Sequence, residues 1–285
     1  MFPDIGAPIA DAVNRFVDWL VVEHGAFFES IANAILVVLV AIEQTLRNAP
    51  PLVILIAVGL IAYAASRHVL LSLVMVVLTW LIGSLGLWEQ AMQTIALLIV
   101  SVGIAIVLGI PFGVLTARSA VARAVLNPVL DLMQTIPSFV YLIPAAMLFG
   151  LGKVPAILAT VIYATPPLIR LTDLGIRQVD HGVIEASRAF GATRWQMLRG
   201  VQIPLALPSI MQGINQTMMM ALAMVVIASM IGARGIGETV LIGLQRNDPG
   251  TGLVGGLAIV LLAVIFDRTS QAFGNRLQTY RRVRD

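Results

Sequence analysis

Long apolar runs separated by short polar breaks dominate the chain. The runs at 50–66, 69–87, 91–117, 126–150, 154–171, 205–231 and 252–270 are each long enough, at about 17 residues or more, to cross a bilayer as a helix. An eighth, AFFESIANAILVVLVAIEQTL at 26–46, is interrupted by Glu29, Asn33 and Glu43. Those polar positions predict an amphipathic helix lying in the membrane interface, with a true span as the alternative. The expected fold is therefore all-α and integral to the membrane: about seven transmembrane helices plus the N-terminal interfacial helix. It divides into a tail and interfacial helix (1–49), two accessory spans (50–89), a core (90–272) holding the longest polar loop (180–204), and a basic tail (273–285).

Composition fixes the solvent. Of 285 residues 59% are hydrophobic and 12% charged, too apolar a balance for a soluble domain. There are no cysteines, which excludes a disulfide framework, a thiolate metal site and a cysteine nucleophile. MFPDIGAPIADAVNRF lacks a basic segment followed directly by an apolar core and does not read as a cleavable signal peptide. With the N-terminus outside and seven alternating spans, thirteen of the eighteen Lys and Arg residues fall in the cytoplasm. The other five are Arg15, Arg47, Lys153, Arg234 and Arg246. The expected orientation is thus N-terminus outside, C-terminus inside. The tail RLQTYRRVRD, beside a membrane exit, reads as topogenic and attracted to anionic lipid rather than as a nucleic-acid site.

The loop predicted at about 172–204 contains EASRAFGATRWQ. Val183, Ile184, Ala186, Ala189 and Phe190 make one apolar side of a short helix, and Gly191 is placed to end it in a left-handed conformation. Thr193 with Gln196 forms a capping box that opens a second helix, and Pro204 ends that helix or starts the next span. A helix–glycine–helix unit with apolar residues outside the membrane suits a protein partner. Packing onto its own spans is the plainer alternative.

EASRAFGATRWQMLRGVQIPLALPSI resembles the signature loop of permease subunits of ATP-binding cassette importers, through Glu185, Ala186, Ser187, Gly191, Val201, Ile203 and Pro204. Ser187 departs from the usual Ala, and Val201 and Ile203 are conservative departures. LNPVLDLMQTIPSFVYLIPAAMLFGLGKVP, ATPPLIRLTDLGIRQVD, INQTMMMALAMVVIASMIGARGIGETVL and GGLAIVLLAVIFDR resemble the branch that carries glycine betaine, proline and choline. The resemblance implies the type I importer permease fold in a bacterial inner membrane. It also implies a permease homodimer, cytoplasmic ATPase subunits that use ATP-Mg and dock on Glu185, Ala186, Ser187, Phe190, Gly191 and Thr193, and an extracytoplasmic substrate-binding protein.

The residues agree that energy comes from another chain. The only lysine, Lys153, sits in MLFGLGKVP, which fails the GxxxxGK[ST] pattern of a phosphate-binding loop. This chain is expected to bind no cofactor and to be no enzyme. GARGIG (232–237) follows no strand and reads as a tight extracellular turn. His24, His68 and His181 are scattered and make no metal site. An ion-coupled carrier would place charges deep in its spans. The best candidate, Asp131, lies near the cytoplasmic start of a span beside Asn127, Pro128 and Arg123, where a local ion pair or helix cap suffices. Candidate pathway groups are Gln134, Thr135, Pro137, Phe139 and Tyr141, where Pro137 and Pro144 disturb the helix. A second set is Asn215, Gln216 and Met219, on one face with Gln212 and Ala223. Phe139, Tyr141 and Tyr163 are the rings that could hold a quaternary ammonium. Another small solute, such as an amino acid, is the alternative cargo.

Overall fold

The computed structural model describes residues 5–282, with side chains described as far as Arg276. Among these residues all regular structure is helical. Helix α1 (Gly6–Asn48) is followed by a hairpin of two short apolar helices, α2 (Pro51–Ser66) and α3 (Val69–Ser84). Pro51 opens α2 where no N–H partner is needed, and Arg67, at φ 58°, ends it in the left-handed region. The hairpin leads into α4 (Trp88–Arg118) and α5 (Ala120–Thr135), whose first turn is capped by the Ser119 hydroxyl accepting from the Ala122 amide at 3.1 Å. A 3-10 turn (Ser138–Tyr141) joins α5 to α6 (Leu142–Phe149), and α7 (Lys153–Ala164) continues into α8 (Pro166–Arg177). After α9 (His181–Ala189), α10 (Arg194–Met197) passes through a π-helical turn (Leu198–Gln202) into α11 (Ile203–Ser229). The chain ends with α12 (Ile236–Gln245) and α13 (Pro249–Arg282).

Helices α4, α8 and α11 make the centre. They approach so closely that a β-carbon on Gly113 would lie 2.5 Å from Thr172, and one on Gly175 2.7 Å from Ser209. Small residues at the crossings permit the contact, as expected where packing rather than hydrophobic exclusion drives helix association. Ala62, Met75 and Ile82 of the hairpin share a buried cluster with Met92 and Leu98 of α4, Leu222 of α11 and Leu262 of α13. The GARGIG turn is partly buried, with Ala233 and Ile236 inside the protein and the Ile236 amide donating to Thr94 Oγ1 at 2.9 Å.

The structure departs from the expected seven spans in four places. Among the described residues five helical runs are long and apolar enough to cross a membrane, and six if the broken α5–α6 pair counts as one span. The helices predicted as spans at 50–66 and 69–87 are each 16 residues, about 24 Å at 1.5 Å per residue. The run at 126–150 bends by 104° between α5 and the 3-10 turn, because Pro137 has no N–H to continue the helix. The run predicted at 154–171 stays helical through Arg177, shortening the loop expected from 172. Finally, 26–46 is part of a continuous 43-residue helix that is itself long and apolar enough to span. Leu39 is fully buried against α4 and α7, and Phe28 meets Phe149 of α6 edge-on at 5.4 Å.

Candidate functional site

The segment from Asp180 to Gln196 is closed by its own hydrogen bonds. Asp180 Oδ1 accepts from the amides of Gly182 and Val183, at 2.8 and 3.2 Å, and so caps α9. At the other end Gly191 has φ 79°. Its amide donates to the Arg188 carbonyl at 2.9 Å, and the Ala192 amide to the Ser187 carbonyl at 3.0 Å. These two bonds form the Schellman ending that needs a left-handed residue just past the helix. The expected capping box is present: the Gln196 amide donates to Thr193 Oγ1, and the Thr193 amide to Gln196 Oε1.

No residue of α9 is buried. Glu185, Ala186, Gly191 and Thr193 are exposed, Ser187 is half-buried, and Phe190 is 92% exposed. Trp195 is also exposed and carries the Arg199 guanidinium 4.5 Å above its ring. The unit meets its own spans mainly where it joins α11, at the buried Met197 and Leu198, and through Arg118 of α4, which donates to the Arg194 carbonyl at 3.4 Å.

Charged groups fasten the helices at this end of the bundle. Asp173, buried in α8, accepts from Arg123 at 3.3 Å and from Arg177 at 2.9 Å. Arg123 also donates to the Thr116 carbonyl at 2.8 Å, tying the α4–α5 corner to α8. Asp131 does take part in an ion pair, but its partner is Arg170 of α8 rather than its sequence neighbour Arg123. These partners lie 39 and 50 residues from the groups they meet, beyond the reach of any local pattern.

The predicted pathway residues fall into two separate places. Gln134 and Thr135 end α5, Pro137 opens the 3-10 turn, and Phe139 is 55% exposed. Tyr141 donates across the corner to the Leu132 carbonyl at 3.2 Å and packs with Leu142, Tyr163 and Met224. Asn215 is instead engaged with α13: its amide donates to Asp267 Oδ1 at 2.8 Å, and it accepts from the Ser270 hydroxyl. Gln271 donates to the same carboxylate oxygen at 2.6 Å. A cavity of about 350 Å³ beside this network is bordered by Gln212, Asn215, Ser270 and Gln271. Gln216 is exposed, and Met219 packs on the central core. Asn215 and Met224 stand nine residues apart on α11, about 13 Å along its axis. Asp267 belongs to the Asn215 network, 52 residues from its partner, where no local pattern in the sequence singles it out.

At the opposite end, Glu43 is 7% exposed. It accepts from Lys153 Nζ at 2.6 Å and from Arg47 at 3.4 Å, and Arg47 also pairs with Glu89. This cluster joins the last turns of α1 to the starts of α4 and α7.

Comparison with known proteins agrees with this architecture. A family model described as "Binding-protein-dependent transport system inner membrane component" matches residues 109–279. The chain is 47% identical, over 94% of its length and 75% of the relative's, to the glycine betaine/proline betaine transport system permease protein ProW of Escherichia coli (strain K12). It is 43% identical to the glycine betaine transport system permease protein OpuAB of Bacillus subtilis (strain 168), over 93% of each chain. A chain from the inward-facing MetNI methionine ABC transporter matches in fold, with a TM-score of 0.60 and 23% identity over 65% of this chain and 93% of that one.

Proposed function

The chain belongs to the binding-protein-dependent transport system inner membrane components, and on that premise we propose that it forms the pathway of an ATP-driven importer for glycine betaine or a related quaternary ammonium solute. It is a transport subunit and not a catalytic enzyme. Two copies pair in the inner membrane, a substrate-binding protein delivers the solute from outside, and two ATPase subunits supply energy through ATP-Mg. The N-terminus lies outside, and the α9–α10 end of the bundle faces the cytoplasm.

The observation that carries the coupling role is Phe190. An apolar side chain left 92% exposed at the tip of a fully capped helix–turn–helix is costly to keep in water and fits a groove on another protein. Closure of the ATPases would push on Glu185, Ala186, Ser187, Phe190, Gly191 and Thr193, and α10 would pass the motion into α11 through the π-helical turn. Such turns interrupt helices at functional places. The α5–α6 corner, with Gln134, Thr135, Pro137, Phe139 and Tyr141, is the gate. Its aromatic rings suit a quaternary ammonium, at roughly 0.5–2 kcal/mol per ring. Asn215, Gln216 and Met219 serve the pathway farther along α11. The names of the two relatives support the choice of solute.

Uptake of labelled glycine betaine into cells with and without the gene, in a strain lacking redundant systems, tests the reading. Loss of uptake on deletion is expected, with competition by choline and proline but not by histidine. Unchanged uptake would reject this solute class. Uptake abolished by an ionophore but insensitive to loss of the ATPase would indicate an ion-coupled carrier instead.

A further inference from the structure

A cavity of about 640 Å³ opens between the α2–α3 turn and the late turns of α13, lined by Ser66, Arg67, His68, Leu71, Asn275 and Arg276 together with Ala272. None of its lining residues is acidic. Arg67 and His68 are exposed, and Arg276, which donates to the Ala64 carbonyl of α2, brings a second guanidinium to the same wall. His68 precedes the first turn of α3, which no side chain caps, so the partial positive charge of that helix end adds to the arginines.

The cavity's position in the bundle follows from α13, whose Asp267 and Ser270 meet Asn215 in the first half of α11. The late turns of α13 therefore lie at the α9–α10 end. Immediately beside the basic wall the hairpin is apolar and uncovered: Val69 is 62%, Leu70 75% and Leu73 57% exposed. Positive groups facing a cavity, with an apolar surface next to them, match a ligand that has a phosphate at one end and acyl chains at the other. Free inorganic phosphate shares only the first of these features.

We infer that this cavity holds the phosphate headgroup of an anionic phospholipid, with the acyl chains running along α3. Arg67 and Arg276 contact the phosphate oxygens, and Ser66 and Asn275 supply polar contacts to the rest of the headgroup. The inference rests on the membrane reading of the chain, but not on which solute crosses. Failure of glycine betaine uptake would leave it standing, and its own failure would leave uptake unchanged.

The test is native mass spectrometry of the purified full-length chain titrated with phosphatidylglycerol or phosphatidylcholine. Preferential retention of phosphatidylglycerol is expected, weakened about 5-fold by Arg67→Gln or Arg276→Gln and about 25-fold by both together, at roughly one surface-charge increment per arginine. Arg67→Lys with Arg276→Lys should retain most of the preference, and replacing Arg281, Arg282 and Arg284 by Gln should lower it far less than loss of Arg67 and Arg276. Equal retention of the two lipids, a preference that survives loss of both arginines, or one that vanishes with the tail substitutions would overturn the proposal. Displacement by millimolar inorganic phosphate would overturn the lipid assignment. If the double Gln variant does not fold, photoactivatable phosphatidylglycerol on the unmodified chain decides: labelling of peptides containing Arg67 or Arg276 supports the site, and labelling only elsewhere refutes it.

Discussion

The α9–α10 unit and the Glu43 cluster, at opposite ends of the bundle, solve the problem of polar groups in opposite ways. At the α9–α10 end, the bonds that close the helix–turn–helix run between residues no more than five apart: Gly182 to Asp180, Ala192 to Ser187, Gln196 to Thr193. At the other end, Glu43 is neutralised by Lys153, 110 residues away. The first device sets a shape that stands clear of the spans. The second makes an acidic residue tolerable inside an apolar contact, since a buried carboxylate is retained only with a partner. One is therefore independent of the tertiary fold, and the other exists only because of it.

Breaking the long-range pair should have the largest effect on stability. Lys153→Ala leaves Glu43, whose side chain is 9% exposed, with only Arg47, and Arg47 is shared with Glu89. A loss of about 3 kcal/mol is expected, the lower end for an uncompensated buried charge. Thermal unfolding of the detergent-solubilised chain reads it. Glu43→Gln combined with Lys153→Met should recover most of the loss, because it removes both charges together. If the single and double variants were equally unstable, packing rather than charge would govern this end.

A smaller change in stability follows at the opposite end from Gly191→Val. The φ of 79° puts Gly191 in the left-handed region, and no atom stands within 4 Å of where a β-carbon would go. Backbone strain alone, about 1–2 kcal/mol, opposes the substitution, so the turn should distort locally while the bundle folds and inserts normally. Transport should fall with membrane abundance unchanged. Gly191→Asn should be nearly normal, since Asn enters the left-handed region more readily. Equal activity of the Val and Asn variants would remove the turn's conformation from the mechanism.

The same contrast explains what could be read from the chain. The all-helical membrane fold, the left-handed Gly191 and the Thr193–Gln196 capping box are written in composition and in neighbours a few residues apart. The position of α1 is not. Glu29, Asn33 and Glu43 predict an interfacial helix; Arg47 is visible as a partner for Glu43 one turn away, but Lys153, 110 residues on, is not. Asp131 is similar: its acidic side chain suggests an ion pair, but the fold supplies Arg170 and reserves Arg123 for Asp173. The polar face Gln212–Asn215–Gln216 is legible as a face. Its division into a cavity wall, a tie to Asp267 and an exposed amide depends on where α13 lies. The runs at 50–66 and 69–87 are legible as apolar helices, while their 16-residue lengths and the core they share with α4 and α13 belong to the fold.

The smallest change in stability, and the sharpest separation of shape from purpose, belongs to Phe190→Ser. At 92% exposure the ring contributes almost nothing to the permease's own packing, so unfolding should shift by no more than about 0.5 kcal/mol. An aromatic side chain seated in a partner's groove behaves differently, because truncating a central anchor commonly weakens an interface by an order of magnitude or more. Co-purification of the ATPase with the Phe190→Ser permease should therefore fall at least about tenfold, while Arg194→Ala on the neighbouring helix, a rim charge, should cost far less. Retained ATPase with normal transport would mean that Phe190 is exposed without being used, and Trp195, half-exposed beneath Arg199 on the same unit, would be the next residue to test.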